Sequence, residues 1–169
     1  MPVAPPLCVN PSFSELTFKC HQEGKFTVED LYLGAGCFWH SEETFRQVPG
    51  IIDTEVGWCS EDSASLISSR VEVVRVRYDP SQILLDQLIQ IFWTTHDPTN
   101  HLHRQSQYLE KSVLFGRTSS QLRKLKQLLE EKRNTVPNLL TIVTDFKYYQ
   151  KAPESDQHYY LKQQLKESQ

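Results

Sequence analysis

Cys37 stands between a glycine turn and two large aromatics in the stretch GAGCFWHSEETF, residues 34 to 45, with the acids Glu42 and Glu43 a turn later. A thiolate is a strong nucleophile, and glycines on either side of Ala35 permit a tight turn and close approach of a substrate to the backbone. The four cysteines, Cys8, Cys20, Cys37 and Cys59, are separated by 12, 17 and 22 positions, so no pair has CxxC spacing. That excludes a simple zinc ribbon or thioredoxin-type motif, and reduced thiols are favoured over two disulfides. His96-Asp97 opens a cysteine–histidine hydrolase reading with Cys37 as nucleophile, although a histidine ending an apolar helix commonly caps carbonyls. His101 and His103 would bind a metal only with distant help, so no metal is expected.

The elements that must position Cys37 alternate along the chain. LYLGAG reads as a short strand closed by glycines, followed by a helix from Phe38 to about Gln47, stopped by Pro49-Gly50. IIDTEVGW is a second strand, and the Ser/Asp-rich stretch from Cys59 to Ser69 is a loop. VEVVRVRY alternates as a strand, and Asp79-Pro80-Ser81 turns it into a helix over 82–96, whose face carries Leu84, Leu88, Ile91, Phe92 and Thr95. A polar loop, DPTNHLHRQSQ, leads to the strand SVLFG. This order, β-α-β-β-α-β, predicts an α+β fold of the ferredoxin-like plait, a two-layer sandwich. An added helix from Ser119 to about Arg133 directs Leu122, Leu125 and Leu129 inward and leaves Arg123, Lys124 and Lys126 as a solvated face. LLTIVTDF adds a strand, and a polar C-terminal helix spans roughly Ser155 to Lys166.

Residues 1–25 carry four prolines and read as an irregular arm ahead of a single domain over 26–169. A net charge of −3 and a pI near 6.1 argue against a generic nucleic-acid or anionic-membrane binder. No apolar run approaches the ~20 residues that span a bilayer. MPVAPPLCVNPSFSEL has neither the basic start nor the apolar segment of a signal peptide, nor the Arg-rich look of a transit peptide. A cytosolic monomer is the default expectation, with a mitochondrial location left open.

Placed at a helix start, Cys37 is expected to ionise below the free thiol value of about 8.5, because unpaired N–H groups and the helix dipole favour an anion. Around it the chain resembles a family. GCFWHSE is similar to the GCFWxxE signature of peptide methionine sulfoxide reductase A. The likeness continues through Phe45, QVPGI, Gly57, VEVVRVRYDP, FWTTHDPT and Arg104-Gln105, with a weaker trace in APESDQHYYL. The resemblance implies thiol-dependent reduction of methionine-S-sulfoxide, free or in peptides and proteins, through a cysteine sulfenic acid on Cys37. It implies Glu72 as the acid that protonates the departing oxygen, and Phe38 and Trp39 as the wall that holds the substrate methyl. No bound cofactor is implied; the reductant is an external thiol such as thioredoxin, glutathione or dithiothreitol.

The chain departs from the family pattern at several places. Gly57-Trp58-Cys59-Ser60-Glu61 stands where the family has GYxGG, and the loop to Glu72 is short and lacks the family tyrosine. The family's oxygen-binding Asp after HDPT has no counterpart; Tyr108 is the expected hydrogen-bond donor to the sulfoxide, with Glu110 at that place in the other alignment. The glycine-rich tail that carries resolving cysteines is absent, which nominates Cys59 as the resolving thiol. These erosions leave open an alternative, an inactive or weak relative that binds methionine or thioether side chains. Glu42 is read as a structural acid.

Overall fold

The computed structural model describes residues 27–60, 70–100, 110–145 and 148–168, and the backbone of 104–105 and 108–109. The arm over 1–25, with Cys8 and Cys20, lies outside the described residues, as do His101 and His103. The fold is α+β, with strands β1 (Glu29–Ala35), β2 (Ile51–Ser60), β3 (Arg70–Tyr78), β4 (Arg104–Gln105), β5 (Tyr108–Leu109), β6 (Ser112–Gly116), β7 (Ile142–Asp145) and β8 (Tyr148–Lys151). Helices α1 (Phe38–Arg46), α2 (Leu85–Phe92), α3 (Ser119–Arg133) and α4 (Tyr159–Glu167) complete it. No helix among the described residues is long and apolar enough to cross a membrane.

The strands form one sheet in which β1 and β3 are central. The order runs β4-β5-β3-β1-β6-β7, while β2 pairs with β3 and carries β8. Alternation explains the two faces. Leu31, Leu33, Val56, Trp58, Val74, Val76 and Leu114 point to one face, where α1 adds Phe38 and Phe45, α2 adds Leu88, Ile89 and Phe92, and α3 adds Leu125, Leu128 and Leu129. Tyr32, Cys59, Val71, Val73, Val113 and Phe115 form a smaller cluster on the other face. Helices therefore cover one face, as a sheet with an apolar side requires.

Where β1 leaves β3, the sheet opens a gap that the site uses. β1 pairs with β3 from Glu29↔Tyr78 to Leu33↔Val74, whereas β5 takes the same side of β3 at Arg70 and Val71, in parallel. Glu72 lies between those two stretches, and the chain leaving β1 turns across it into α1.

Several expectations are corrected. Cys59 belongs to β2 and pairs with Val71 of β3 and Tyr149 of β8, rather than opening a loop. The second helix is shorter than 82–96: it begins at Leu85, and the Gln87 side chain accepts the Leu84 backbone N–H at 2.9 Å, leaving the Leu84 side chain 60 % exposed. β4 falls in the stretch read as a polar loop, β5 follows just after it, and β8 was not expected at all. α4 starts at Tyr159 after a run of turns, not at Ser155.

Candidate active site

The turn into α1 is built by glycine and serine. Gly36 has φ of 80°, a left-handed conformation in which a side chain is strained. Gly34 is needed for space, since a Cβ there would meet Val113 Cγ1 at 2.6 Å and the Lys111 carbonyl oxygen at 2.9 Å. Ser41 is 1 % exposed, and its Oγ lies 3.3 Å from the carbonyl oxygens of both Ala35 and Cys37, so one hydroxyl ties the strand end to the helix.

Cys37 occupies the N-cap of α1 and is half-buried. The first three N–H groups of the helix are divided between two acids. Phe38 N–H donates to Glu72 Oε2 at 3.2 Å. Those of Trp39 and His40, although forming no full capping bond, lie near enough to the thiol to favour its anion. The expected acidification nevertheless does not follow. Burial is the larger influence and pushes the Cys37 thiol up, and the charges of Glu72 and Glu110 add to it. A helix start stabilises a thiolate only as far as water or N–H groups replace the solvation that burial removes.

Glu72 reaches this point from β3, opposite Trp58 of β2. Burial raises its carboxyl above the usual range; the Phe38 N–H opposes this, and the charges of Glu110 and Asp156 reinforce it. The site thus holds two weak acids, both harder to ionise than in water, on one helix terminus.

An aromatic wall stands beside them. Phe38, 6 % exposed, packs at 6.1 Å from Trp39 and 5.9 Å from Trp58 between ring centres. Trp39, half-buried, stacks flat on Tyr159 of α4 at 4.1 Å and 11°. Trp58 and Tyr159 were not singled out by sequence. The Phe38/Trp39 spacing carries no information about α4, which arrives 120 positions later.

The remaining nominated residues fall as follows. Tyr108 lies in β5, in register with Arg70, two positions along β3 from Glu72; its side chain lies outside the described residues. Cys59 is 1 % exposed and points to the sheet face opposite Trp58 and Glu72, among Val71, Val73 and Phe115, where burial drives its thiol strongly up. His96 faces Ser112 Oγ at 2.7 Å, and Ser112 faces Thr141 Oγ1 at 2.6 Å, a buried polar chain with Thr95 on the other ring nitrogen. Both imidazole nitrogens are thereby engaged by hydroxyls, Thr95 and Ser112, which leaves neither for the hydrolase pairing with Cys37.

Glu42 is fully buried and accepts from Thr54 Oγ1 at 3.2 Å and from the His158 backbone N–H at 2.8 Å. Its position was readable: Phe38, Ser41, Glu42 and Phe45 form the buried face of α1 at helical spacing. Gln157 was missed. It clamps the chain before α4 to β2, accepting from Val56 N–H at 2.8 Å and donating toward the Val56 and Ala152 carbonyls, each at 2.9 Å.

A thiol and a buried carboxylic acid share one helix start, walled by aromatics, in an α+β fold. The family model described as peptide methionine sulfoxide reductase matches residues 29–169, and the chain belongs to that family. It is 35 % identical over 147 residues to peptide methionine sulfoxide reductase MsrA of Geobacter sulfurreducens, covering 79 % of this chain and 90 % of that one. Among solved structures it is similar to Mxr1 from Saccharomyces cerevisiae in reduced form, with a TM-score of 0.70, 27 % identity, and 80 % and 86 % of the two chains covered. The structure of Mxr1 in complex with Trx2 aligns with a TM-score of 0.62 and 26 % identity, covering 83 % of this chain and 91 % of that one.

Proposed function

We propose that this protein reduces methionine sulfoxide, in its S epimer and free or within peptides, to methionine. The observation that carries the reading is the convergence of Cys37 and Glu72 on the first turn of α1 beside Phe38 and Trp39. The rings hold the substrate methyl, and the sulfoxide sulfur is presented to Cys37. The Cys37–Glu72 pair is reactive when it holds one proton. The reactive arrangement has that proton on Glu72 and the negative charge on sulfur.

The thiolate then attacks the sulfoxide sulfur while Glu72 gives its proton to the sulfoxide oxygen, as a general acid with a raised pKa does. The oxygen ends on Cys37 as a sulfenic acid, and methionine leaves with the two electrons that Cys37 has lost. One external thiol condenses with the sulfenic acid, releasing water and forming a mixed disulfide. A second thiol displaces Cys37 from it and restores the starting sulfur. A thioredoxin-type protein fits the role, supported by the complex of Mxr1 with Trx2; glutathione or dithiothreitol would substitute. Tyr108, two register positions from Glu72, is the proposed donor to the sulfoxide oxygen.

The experiment is incubation of pure methionine-S-sulfoxide with the protein and dithiothreitol, followed by NMR or mass spectrometry. Conversion to methionine over many turnovers is expected. Binding without conversion would overturn the reading.

A further inference from the structure

The approach to α4 is anchored inside the protein although the helix itself has no fully buried residue. His158, just before it, takes the left-handed conformation (φ 52°, ψ 41°), the only non-glycine residue to do so among the described residues. Such a conformation persists where surrounding contacts over-determine it. Here the contact is Glu42, which accepts the His158 backbone N–H at 2.8 Å and faces its Nδ1 at 3.1 Å from the other carboxylate oxygen. Gln157 fixes the preceding peptide to β2.

This anchoring has a consequence one residue on. Tyr159 is delivered flat onto Trp39. The Trp39 indole Nε1 is buried and has no hydrogen-bond partner among the described residues, so no polar contact there fixes the ring's orientation. A ring held only by neighbours is as well placed as the neighbour that covers its face.

We propose that Tyr159 is a positioning residue for the reaction: seated by the Glu42–His158 clamp, it holds Trp39 in the orientation that receives the substrate. The inference rests on the reading of Trp39 as substrate wall. Tyr159 acts through Trp39 and not on the sulfoxide, and its phenol oxygen has no part in the effect. Removing the ring then weakens capture of substrate and spares the chemistry at Cys37.

The test pairs kinetics with a signal that does not depend on turnover. Protein labelled with 5-fluorotryptophan has three resonances, from Trp39, Trp58 and Trp93, and Trp39→Phe assigns the first. In Tyr159→Ala the Trp39 resonance is expected to shift and broaden while the other two stay in place. KM for methionine sulfoxide should rise ~3–10-fold, the loss of one aromatic stack, with kcat within about twofold. Tyr159→Phe restores both readouts, and Tyr159→Leu gives an intermediate result if the alanine variant folds poorly. An unmoved Trp39 resonance in the alanine variant, or a KM that phenylalanine does not restore, would overturn the proposal. Absence of turnover in the wild-type protein would instead defeat the reductase reading, while the fluorine signal still reports whether Tyr159 fixes Trp39.

Discussion

Phe38 and Glu72, 34 positions apart, are joined by a hydrogen bond of 3.2 Å from the Phe38 backbone N–H to Glu72 Oε2. The bond sets the carboxyl against the same helix terminus that faces the Cys37 sulfur, so the charge of Glu72 acts on the thiol. Glu72 raises the Cys37 pKa, and burial raises both. Two acids so coupled titrate as a pair.

The pH dependence of kcat/KM follows with a definite sign. Below the first ionisation, which belongs mainly to Glu72, both groups are protonated and no thiolate exists. Above the second, which belongs mainly to Cys37 and lies above the ordinary thiol range, no acid remains. Activity is therefore a bell, with its acid limb above the ordinary carboxylate range. In Glu72→Gln the alkaline limb should vanish and the residual rate should climb as the thiol ionises, at a lower pH because a negative neighbour is gone. Turnover falls ~10²-fold or more for the loss of a general acid. A bell retained in the glutamine variant, with circular dichroism showing the fold intact, would remove Glu72 from the chemistry.

Cys37→Ser should separate activity from stability. A hydroxyl is scarcely ionised near neutral pH, so product formation under dithiothreitol should disappear. Yet serine is among the preferred N-cap residues, and the N–H groups of Trp39 and His40 are available to it. The variant is expected to be as stable as the parent or more so, by ~0.5–1 kcal/mol in chemical denaturation. A destabilised serine variant would mean that the thiol is held by packing and not by the cap.

The placement of Cys37 at the start of α1 was legible because its signal is local, a glycine turn into a helix; Glu72, Phe38 and Trp39 were nominated by the family resemblance, and the strand puts Glu72 on the face of Val74 and Val76. What was not legible depended on distant partners. Cys59 looked like the start of a loop because Ser60 and the acidic stretch follow it, but β8, ninety positions on, extends the strand through Ser60 by pairing Cys59 with Tyr149. β4 and β5 are two residues each, too short for any periodicity to show. Tyr159 lies in a polar helix with no buried stripe, and only the Glu42 clamp reveals which residue of α1 it serves.

Glu42 should prove a structural acid of consequence. Glu42→Ala leaves two donors, the buried Thr54 hydroxyl and the part-buried His158 N–H, without their acceptor. Each orphaned group costs about 1–3 kcal/mol, so a loss of roughly 2–5 kcal/mol is expected in urea denaturation. Glu42→Gln keeps an acceptor oxygen for one of them and should lose less. A difference under ~0.5 kcal/mol between the alanine variant and the parent would show that water replaces the carboxylate and that the clamp is not tight.

Oxidised Cys37 should wait for an external thiol. A disulfide requires Cβ atoms about 3.5–4.5 Å apart. Cys59 is not expected to meet that from its strand position, because alternation turns its side chain to the face away from Glu72 and Trp58, and moving it across would require a one-residue slip of β2 against two partners. Its thiol is also buried and strongly disfavoured as an anion, so it is a poor attacking group. One turnover without reductant should therefore consume a single thiol and leave a sulfenic acid on Cys37 that a dimedone-type probe captures. Cys59→Ala should turn over at the parent rate with dithiothreitol. Loss of two thiols, with peptide mapping that joins Cys37 to Cys59, Cys8 or Cys20, would establish instead that an internal cysteine resolves the intermediate, and a link to Cys59 would require that β2 opens during the cycle.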